Sequence, residues 1–180
     1  MFLSNAAGLF VGAIFTLLLG AVVRFDLAAR RIPNRLVAVL VVTGSAAAAT
    51  ALREPVGFTG AIAGCALGLM VWLPFWLARV LGAGDVKLAA AIGVWLGPAG
   101  VLHASLLAAL AGGVLALAVV ARRGRFSALV AGLALWIGAL QRGRLTRPLV
   151  NDTADVLPYG VALAVGAALA GWLPAAWLAL

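Results

Sequence analysis

Long apolar runs separated by short charged clusters make up the pattern of this chain. Most runs reach the roughly 20 residues that an α-helix needs to cross a bilayer. Backbone in lipid must satisfy its own hydrogen bonds, and runs this uniform lack the alternation of barrel strands. The pattern therefore predicts a helical bundle of about six spans, at approximately 2–23, 36–52, 58–80, 85–97, 99–120 and 161–180.

Two features are expected in the membrane interface. The segment 126–140 is too short to span, and its larger apolar residues recur every three or four positions between flanking arginines, which is typical of an interfacial amphipathic helix. Trp72 and Trp76, near the end of the third span, are expected in the aromatic belt. We therefore expect an all-α, polytopic membrane bundle with one interfacial helix, forming a single domain over 1–180.

Two prolines interrupt the apolar pattern. Pro33 lacks a backbone donor and disfavours helical geometry in its predecessor, so Asn34 is expected to cap the second span. Pro98 limits the fourth span to about 13 residues, or roughly 20 Å, against a hydrocarbon core of roughly 30 Å. Either this helix continues past Pro98 with a kink, or its Asp85 end lies below the membrane surface. We favour the second alternative, because it would give Asp85 a partly water-excluded site.

Composition agrees with a membrane protein. Hydrophobic residues make up 66% of the chain and the mean hydropathy is +1.18, whereas soluble domains are about 45–50% apolar. The single Cys65 lies within a span, which excludes a disulfide framework and a cysteine zinc site. The first residues carry no basic side chain, so the first run is expected to stay in the mature protein rather than act as a cleaved signal peptide.

The placement of charge predicts orientation. A net charge of +8 would suggest nucleic acid in a soluble protein, but here the basic residues lie beside spans, and we expect no nucleic-acid partner. With six spans, Arg53 alone falls on one face, and all other basic residues fall on the opposite face. The larger set comprises Arg24, Arg30, Arg31, Arg35, Arg79, Lys87, Arg122, Arg123, Arg125, Arg142, Arg144 and Arg147. This face is expected in the cytoplasm, with both termini on the other side.

Two acidic residues stand at the edges of predicted spans, where an ionised side chain is costly and needs a reason. Asp26 follows the first span, and Asp85 begins the fourth within Gly82-Ala83-Gly84-Asp85-Val86-Lys87-Leu88. Packing the first span against the fourth would bring both carboxylates together at the cytoplasmic face. Two close carboxylates cannot both ionise, so the pair can act as general base and general acid on a water molecule. This is the chemistry of an aspartyl protease.

The residues around Asp85 are compatible with a peptide site. Gly82 and Gly84 would let a substrate approach the backbone closely. Lys87 either tunes the Asp85 carboxylate, meets a substrate or sets topology. Taken alone, Asp85 is equally explained as a snorkelling charge at a helix break, and Asp26 as a salt-bridged cytoplasmic residue beside its arginines.

The remaining polar residues indicate no other chemistry. His103 and Ser105 lie in an apolar span, where packing or an interhelical hydrogen bond is expected rather than a serine protease site. Asp152 and Asp155 are expected to be solvated loop charges. The His-Glu-x-x-His metal motif does not occur in the sequence. We therefore expect no metal and no other cofactor.

Three motifs together resemble the type IV prepilin peptidase family of GxGD intramembrane aspartyl proteases. They are Asp26 with Arg30-Arg31-Ile32-Pro33-Asn34, the 82–88 segment, and Leu157-Pro158-Tyr159-Gly160. The resemblance covers nearly the whole chain and implies that Asp26 and Asp85 are the catalytic pair. It also implies a set of residues that bind or position the substrate, namely Gly82, Gly84, Lys87, Pro158, Tyr159 and Gly160.

The resemblance further implies the partners. The substrates would be precursors of pilins and pseudopilins, with a short basic leader before a hydrophobic helix, cut at the cytoplasmic face of the bacterial inner membrane. Larger members of the family add a cytoplasmic segment with paired cysteine motifs and N-methylate the product. Here the first loop is short and Cys65 is solitary, so methyltransferase activity is not expected. The chain is similar to peptidases of tight-adherence (Flp-type) pilus systems, and an archaeal preflagellin peptidase is the neighbouring alternative.

A second class of protein stays open. In a small transport or assembly subunit of a secretion system, Asp26 and Asp85 would serve proton or substrate passage. A relay should place acids at successive depths, whereas a protease needs both acids within reach of one water. The sequence offers no third acid in the middle of a span, which favours the protease.

Overall fold

The computed structural model describes residues 2, 6–50, 56–78, 80–122, 124, 130–132, 134–135, 138 and 159–173. These residues contain no strand, and their helices have the following bounds. They are α1 (Ala6–Ala29), α2 (Asn34–Ala49), α3 (Gly57–Leu77), α4 (Ala83–Arg122) and α5 (Tyr159–Trp172).

By length and composition alone, three of these helices could cross a membrane: α1, α3 and the Ala83–Ala118 part of α4. Helices α2 and α5 are shorter but also apolar. The all-α membrane fold is thus confirmed for the part of the chain that the structure describes. The number of six spans and the side on which the termini lie stay predictions. The predicted helix at 126–140 lies mostly outside the described residues.

Helix α4 is broken at Gly97, whose φ of 70° and ψ of −176° are not helical. Before the break, the backbone of Ala89 lies against Gly68 of α3. After the break, Ser105 accepts a hydrogen bond from Trp72, which lies one turn further along the same helix α3. In a straight helix Ala89 and Ser105 would be about 24 Å apart. The chain therefore folds back at Gly97, where a backbone of this kind is open essentially only to glycine.

This reversal divides α4 into an N-terminal limb (83–96) and a C-terminal limb (98–122). The limbs correspond to the predicted fourth and fifth spans, and the boundary at Gly97-Pro98 is confirmed. A helix that merely continued past Pro98 with a kink does not fit these contacts. The depth of Asp85 in the membrane stays a prediction.

Small residues let the helices approach one another. Gly64 of α3 and Gly93 of α4 face each other so closely that a Cβ on either would overlap the backbone of the other. Gly166 of α5 lies in the same way against the backbone of Ala104 and Ala108. Close approach through glycine and alanine is the usual way in which membrane helices gain packing contacts.

Aromatic rings fill the core between α1, α2 and α4. Phe15 stacks on Trp95 with ring centroids 4.9 Å apart, and the Trp95 indole N–H donates to the Leu40 carbonyl over 2.7 Å. Both rings are buried. At one end of the bundle the Phe2 N–H donates to the Gly171 carbonyl over 3.3 Å. The first described residue therefore lies against the C-terminal end of α5.

Two local predictions were wrong. Asn34 does not cap α2, because Pro33 holds the cap position and no side chain there makes a capping hydrogen bond. The Pro33 carbonyl accepts hydrogen bonds from the N–H groups of Leu36 and Val37. Trp72 is not a belt residue, because it is only 4% exposed. Trp76 is 42% exposed.

Candidate active site

Asp26 lies on the buried face of α1, which runs to Ala29 rather than ending near Val23. The helix stops at Arg30, whose φ of 49° is left-handed and whose N–H donates to the Asp26 carbonyl over 2.9 Å. Glycine usually holds this position, and another residue there costs about 1–2 kcal/mol. Because α1 continues past Val23, Asp26 is a helical residue on the buried side of α1, and it is only 6% exposed.

The first turn of α5 holds the Asp26 carboxylate. Its Oδ2 accepts a hydrogen bond from the Val161 N–H over 3.1 Å. N–H groups in the first turn of a helix lack partners within that helix, and the positive end of the helix dipole attracts an anion. Gly160 makes this approach possible, because a Cβ there would lie 2.7 Å from Oδ2 of Asp26. Gly160 thus lets the start of α5 lie against the Asp26 carboxylate, and its role toward a substrate stays a prediction.

Asp85 lies at the start of α4, where it is half-buried. Its Oδ2 accepts a hydrogen bond from the Gly82 N–H over 3.2 Å, and its own N–H donates to the Gly82 carbonyl over 3.1 Å. This exchange resembles a capping box, in which a side chain reaches back to the residue that begins the helix. The turn therefore holds the Asp85 carboxylate in place.

The fold brings the two aspartates to the same end of the bundle. Gly160, which lies against Asp26, and Gly84, the neighbour of Asp85, both lie against Ile32. Tyr159 is at the same end, because the next two residues of α5 approach Asp26. Where two carboxylates share one site, ionisation of one disfavours ionisation of the other. Among the described residues, no group of three or more His, Cys, Asp or Glu side chains could hold a metal ion.

Ile32, in the Ile32-Pro33-Asn34 element, lies against the starts of both α4 and α5. A Cβ on Gly84 would lie 3.7 Å from Cβ of Ile32, and one on Gly160 would lie 3.1 Å from Cδ1 of Ile32. Ile32 thus fills the space between the start of α4 and the start of α5. Lys87 donates to Oδ1 of Asn34 over 3.3 Å, so this hydrogen bond joins α4 to α2. Pro158 lies outside the described residues.

A second group of residues, in contact with Tyr159, was not predicted from the sequence. The Tyr159 ring meets Trp72 edge-on, with centroids 5.5 Å apart. The Trp72 indole N–H donates to Oγ of Ser105 over 2.9 Å, and Ser105 donates to the Val101 carbonyl over 2.7 Å. The expected interhelical hydrogen bond of Ser105 is thus confirmed. An isolated hydroxyl in an apolar helix was the signal that could have suggested a buried partner such as Trp72.

The fold and the site define a helical membrane protein with an aspartate beside the start of α5 and another at the start of α4. Residues 13–117 match the family model described as the type IV leader peptidase family. The match covers more than half of the chain and includes Asp26, Asp85 and the 82–88 segment, so the chain belongs to this family. No curated protein and no solved structure gave a significant match. The resemblance read from the motifs is confirmed at the level of the family, which makes the chain a membrane peptidase.

Proposed function

We infer that this peptidase is an aspartyl endopeptidase in which Asp26 and Asp85 activate a water molecule. The observation that carries the proposal is geometric: the start of α5 holds Asp26, the start of α4 carries Asp85, and both helix starts lie against Ile32. Each has one oxygen held by a backbone N–H, from Val161 and Gly82 respectively. These backbone N–H groups orient the carboxylates without taking part in the reaction. The pair is therefore oriented by the fold before a substrate arrives.

The reaction follows from the sharing of one proton. The ionised carboxylate takes a proton from water as the water oxygen attacks the peptide carbonyl carbon, and the protonated carboxyl donates to the carbonyl oxygen. When the C–N bond breaks, the proton taken from water passes to the leaving nitrogen, and one hydroxyl of the intermediate returns a proton to the carboxylate pair as the C=O bond re-forms. Because one carboxyl must be protonated and the other ionised, the rate should fall at both acidic and alkaline pH.

The proposed substrates are Flp-type prepilins and pseudopilins, and the proposed product is the pilin without its short basic leader. Membership of the leader peptidase family supports this class of substrate. The asymmetry of basic residues supports a cytoplasmic site, because the predicted cytoplasmic face includes the residues around Asp26 and Asp85. The proposed location is the bacterial inner membrane.

Leader removal from co-expressed prepilins tests this proposal. Asp26→Asn and Asp85→Asn keep the shape of each side chain but remove the acid, so each should abolish cleavage. Asp152→Asn is the matched control, because its carboxylate is predicted from the sequence to be a solvated loop charge, and it should cleave at the wild-type rate. Leader removal that survives both active-site substitutions would refute the aspartyl mechanism.

A further inference from the structure

An apolar cavity of about 500 Å³ lies beside the candidate active site, between α3, the C-terminal limb of α4 and Tyr159. Its volume is within the roughly 300–1,000 Å³ of ligand sites in proteins. Val80 and Leu81 line the cavity and directly precede Gly82, the residue that bonds the Asp85 carboxylate. The cavity is therefore continuous with the turn that positions one of the two carboxylates.

Tyr159 lines the cavity. Its ring lies against Gly112, where a Cβ would be 2.9 Å from the ring atom Cε2. Tyr159 begins α5, and the next two residues, Gly160 and Val161, approach Asp26. A group bound in the cavity would thus contact the residue that directly precedes the Asp26 contacts.

The interior of the cavity suits an apolar group. Among the residues that the structure describes, its lining is apolar apart from the phenol of Tyr159, the indole N–H of Trp72 and the hydroxyl of Ser105. The indole N–H donates to the hydroxyl, and the hydroxyl donates to the Val101 carbonyl, so these two groups already have partners. A charged side chain placed here would lose its hydration without finding a counter-ion, which is costly. The basic leader of a substrate is therefore a poor occupant.

We propose that this cavity is a specificity subsite that receives an apolar side chain of the substrate, from the segment that follows the scissile peptide bond. The inference rests on the proposed peptidase function. Two observations carry the assignment. The lining residues Val80 and Leu81 directly precede the Asp85 turn, and the lining residue Tyr159 directly precedes the residues that approach Asp26. A lipid acyl chain is the competing occupant, and the experiments below distinguish the two.

The first experiment measures substrate preference. A designed membrane peptide with a basic leader and a leucine-rich segment is cleaved by the full-length protein, and the leucines of the first turn after the cleaved bond are changed singly to alanine. At one of these positions the wild type should favour leucine by about tenfold or more in kcat/KM, because apolar pockets discriminate by this much per missing methylene.

The matched pair of variants is Ala109→Phe and Ala118→Phe. Both alanines are exposed on the C-terminal limb of α4, but only Ala109 lines the cavity. Ala109→Phe fills the cavity and should abolish the leucine preference, whereas Ala118→Phe should keep it. The preference compares two substrates with one enzyme preparation, so partial misfolding does not change it. A preference that is absent in the wild type or unchanged in Ala109→Phe overturns the subsite while cleavage, and hence the proposed function, stands.

The second experiment does not depend on cleavage. A benzophenone amino acid is placed at Leu106 or at Leu110 in the Asp85→Asn background. These leucines are 64% and 67% exposed and lie one turn apart, but only Leu106 lines the cavity. With the peptide bound, Leu106 should crosslink to its apolar segment and Leu110 to lipid. Crosslinking of Leu106 to lipid alone overturns the proposal. Crosslinking to the peptide when the wild type does not cleave it would instead reject the proposed function and keep the binding site.

Discussion

Gly160→Ala tests how closely turnover depends on the position of Asp26. The added Cβ would lie 2.7 Å from Oδ2 and 3.0 Å from Cγ of Asp26, and 3.1 Å from Cδ1 of Ile32. Since ordinary contacts begin at 3.4 Å, the carboxylate must retreat by roughly 0.7 Å. The 3.1 Å hydrogen bond to the Val161 N–H would then exceed normal hydrogen-bond length.

Two estimates of the effect agree. Losing a hydrogen bond to a charged group costs about 1.5–3 kcal/mol, which corresponds to roughly 10–100-fold in rate if the bond orients Asp26 in the transition state. Misplacement of a catalytic group by about 1 Å costs up to about 100-fold. We therefore expect Gly160→Ala to lower kcat by roughly 10–100-fold with little change in KM.

The assay is the rate of leader cleavage by purified protein in detergent, with thermal unfolding measured in parallel. Gly113→Ala is the control, because a Cβ at Gly113 meets nothing within 4 Å. It should keep the wild-type kcat and unfold at a similar or higher temperature, since alanine is favoured over glycine in a helix. If Gly160→Ala is folded and turns over at the wild-type rate, the position of Asp26 does not control catalysis and the reasoning is wrong.

Two further substitutions test the packing that supports the site. Ser105→Ala removes the acceptor of the buried Trp72 N–H and should lower the free energy of unfolding by about 1–3 kcal/mol, as measured by denaturation in detergent; Ser105→Thr retains a hydroxyl and should recover part of this loss. Gly97→Ala places a side chain at φ 70°, which costs about 1–3 kcal/mol. If Ser105→Ala has the thermal midpoint of wild type, the result contradicts the Trp72–Ser105 hydrogen bond. If Gly97→Ala has it, the result contradicts the chain reversal at Gly97.

Local features of the sequence predicted several elements well. The apolar runs indicated the helices, because burial of the backbone in lipid leaves few alternatives to a helix. The break at Gly97 was predictable because glycine and proline restrict or free the backbone at their own position. The proximity of Asp26 and Asp85 could also be expected from the sequence, since both stand where an ionised side chain is costly.

Side-chain partners were harder to predict. Trp72 was placed in the interfacial belt because tryptophans near the end of a span often lie there, yet it is buried and donates to Ser105. Asn34 was expected to cap α2 because asparagine is a good cap, yet its side chain accepts from Lys87. In both cases the partner lies on another helix, and the composition of a single segment carries no information about it.

The sequence by itself determined the class of structure and the candidate chemistry: an apolar helical bundle with two acids at helix ends and glycines beside them. Only the tertiary structure decided how those acids are held. The Val161 N–H reaches Asp26 from a segment 135 residues away, and Tyr159, which begins the same helix, lines an apolar cavity. Such contacts depend on how helices cross and how closely their backbones approach, which is a property of the packed bundle rather than of any one segment.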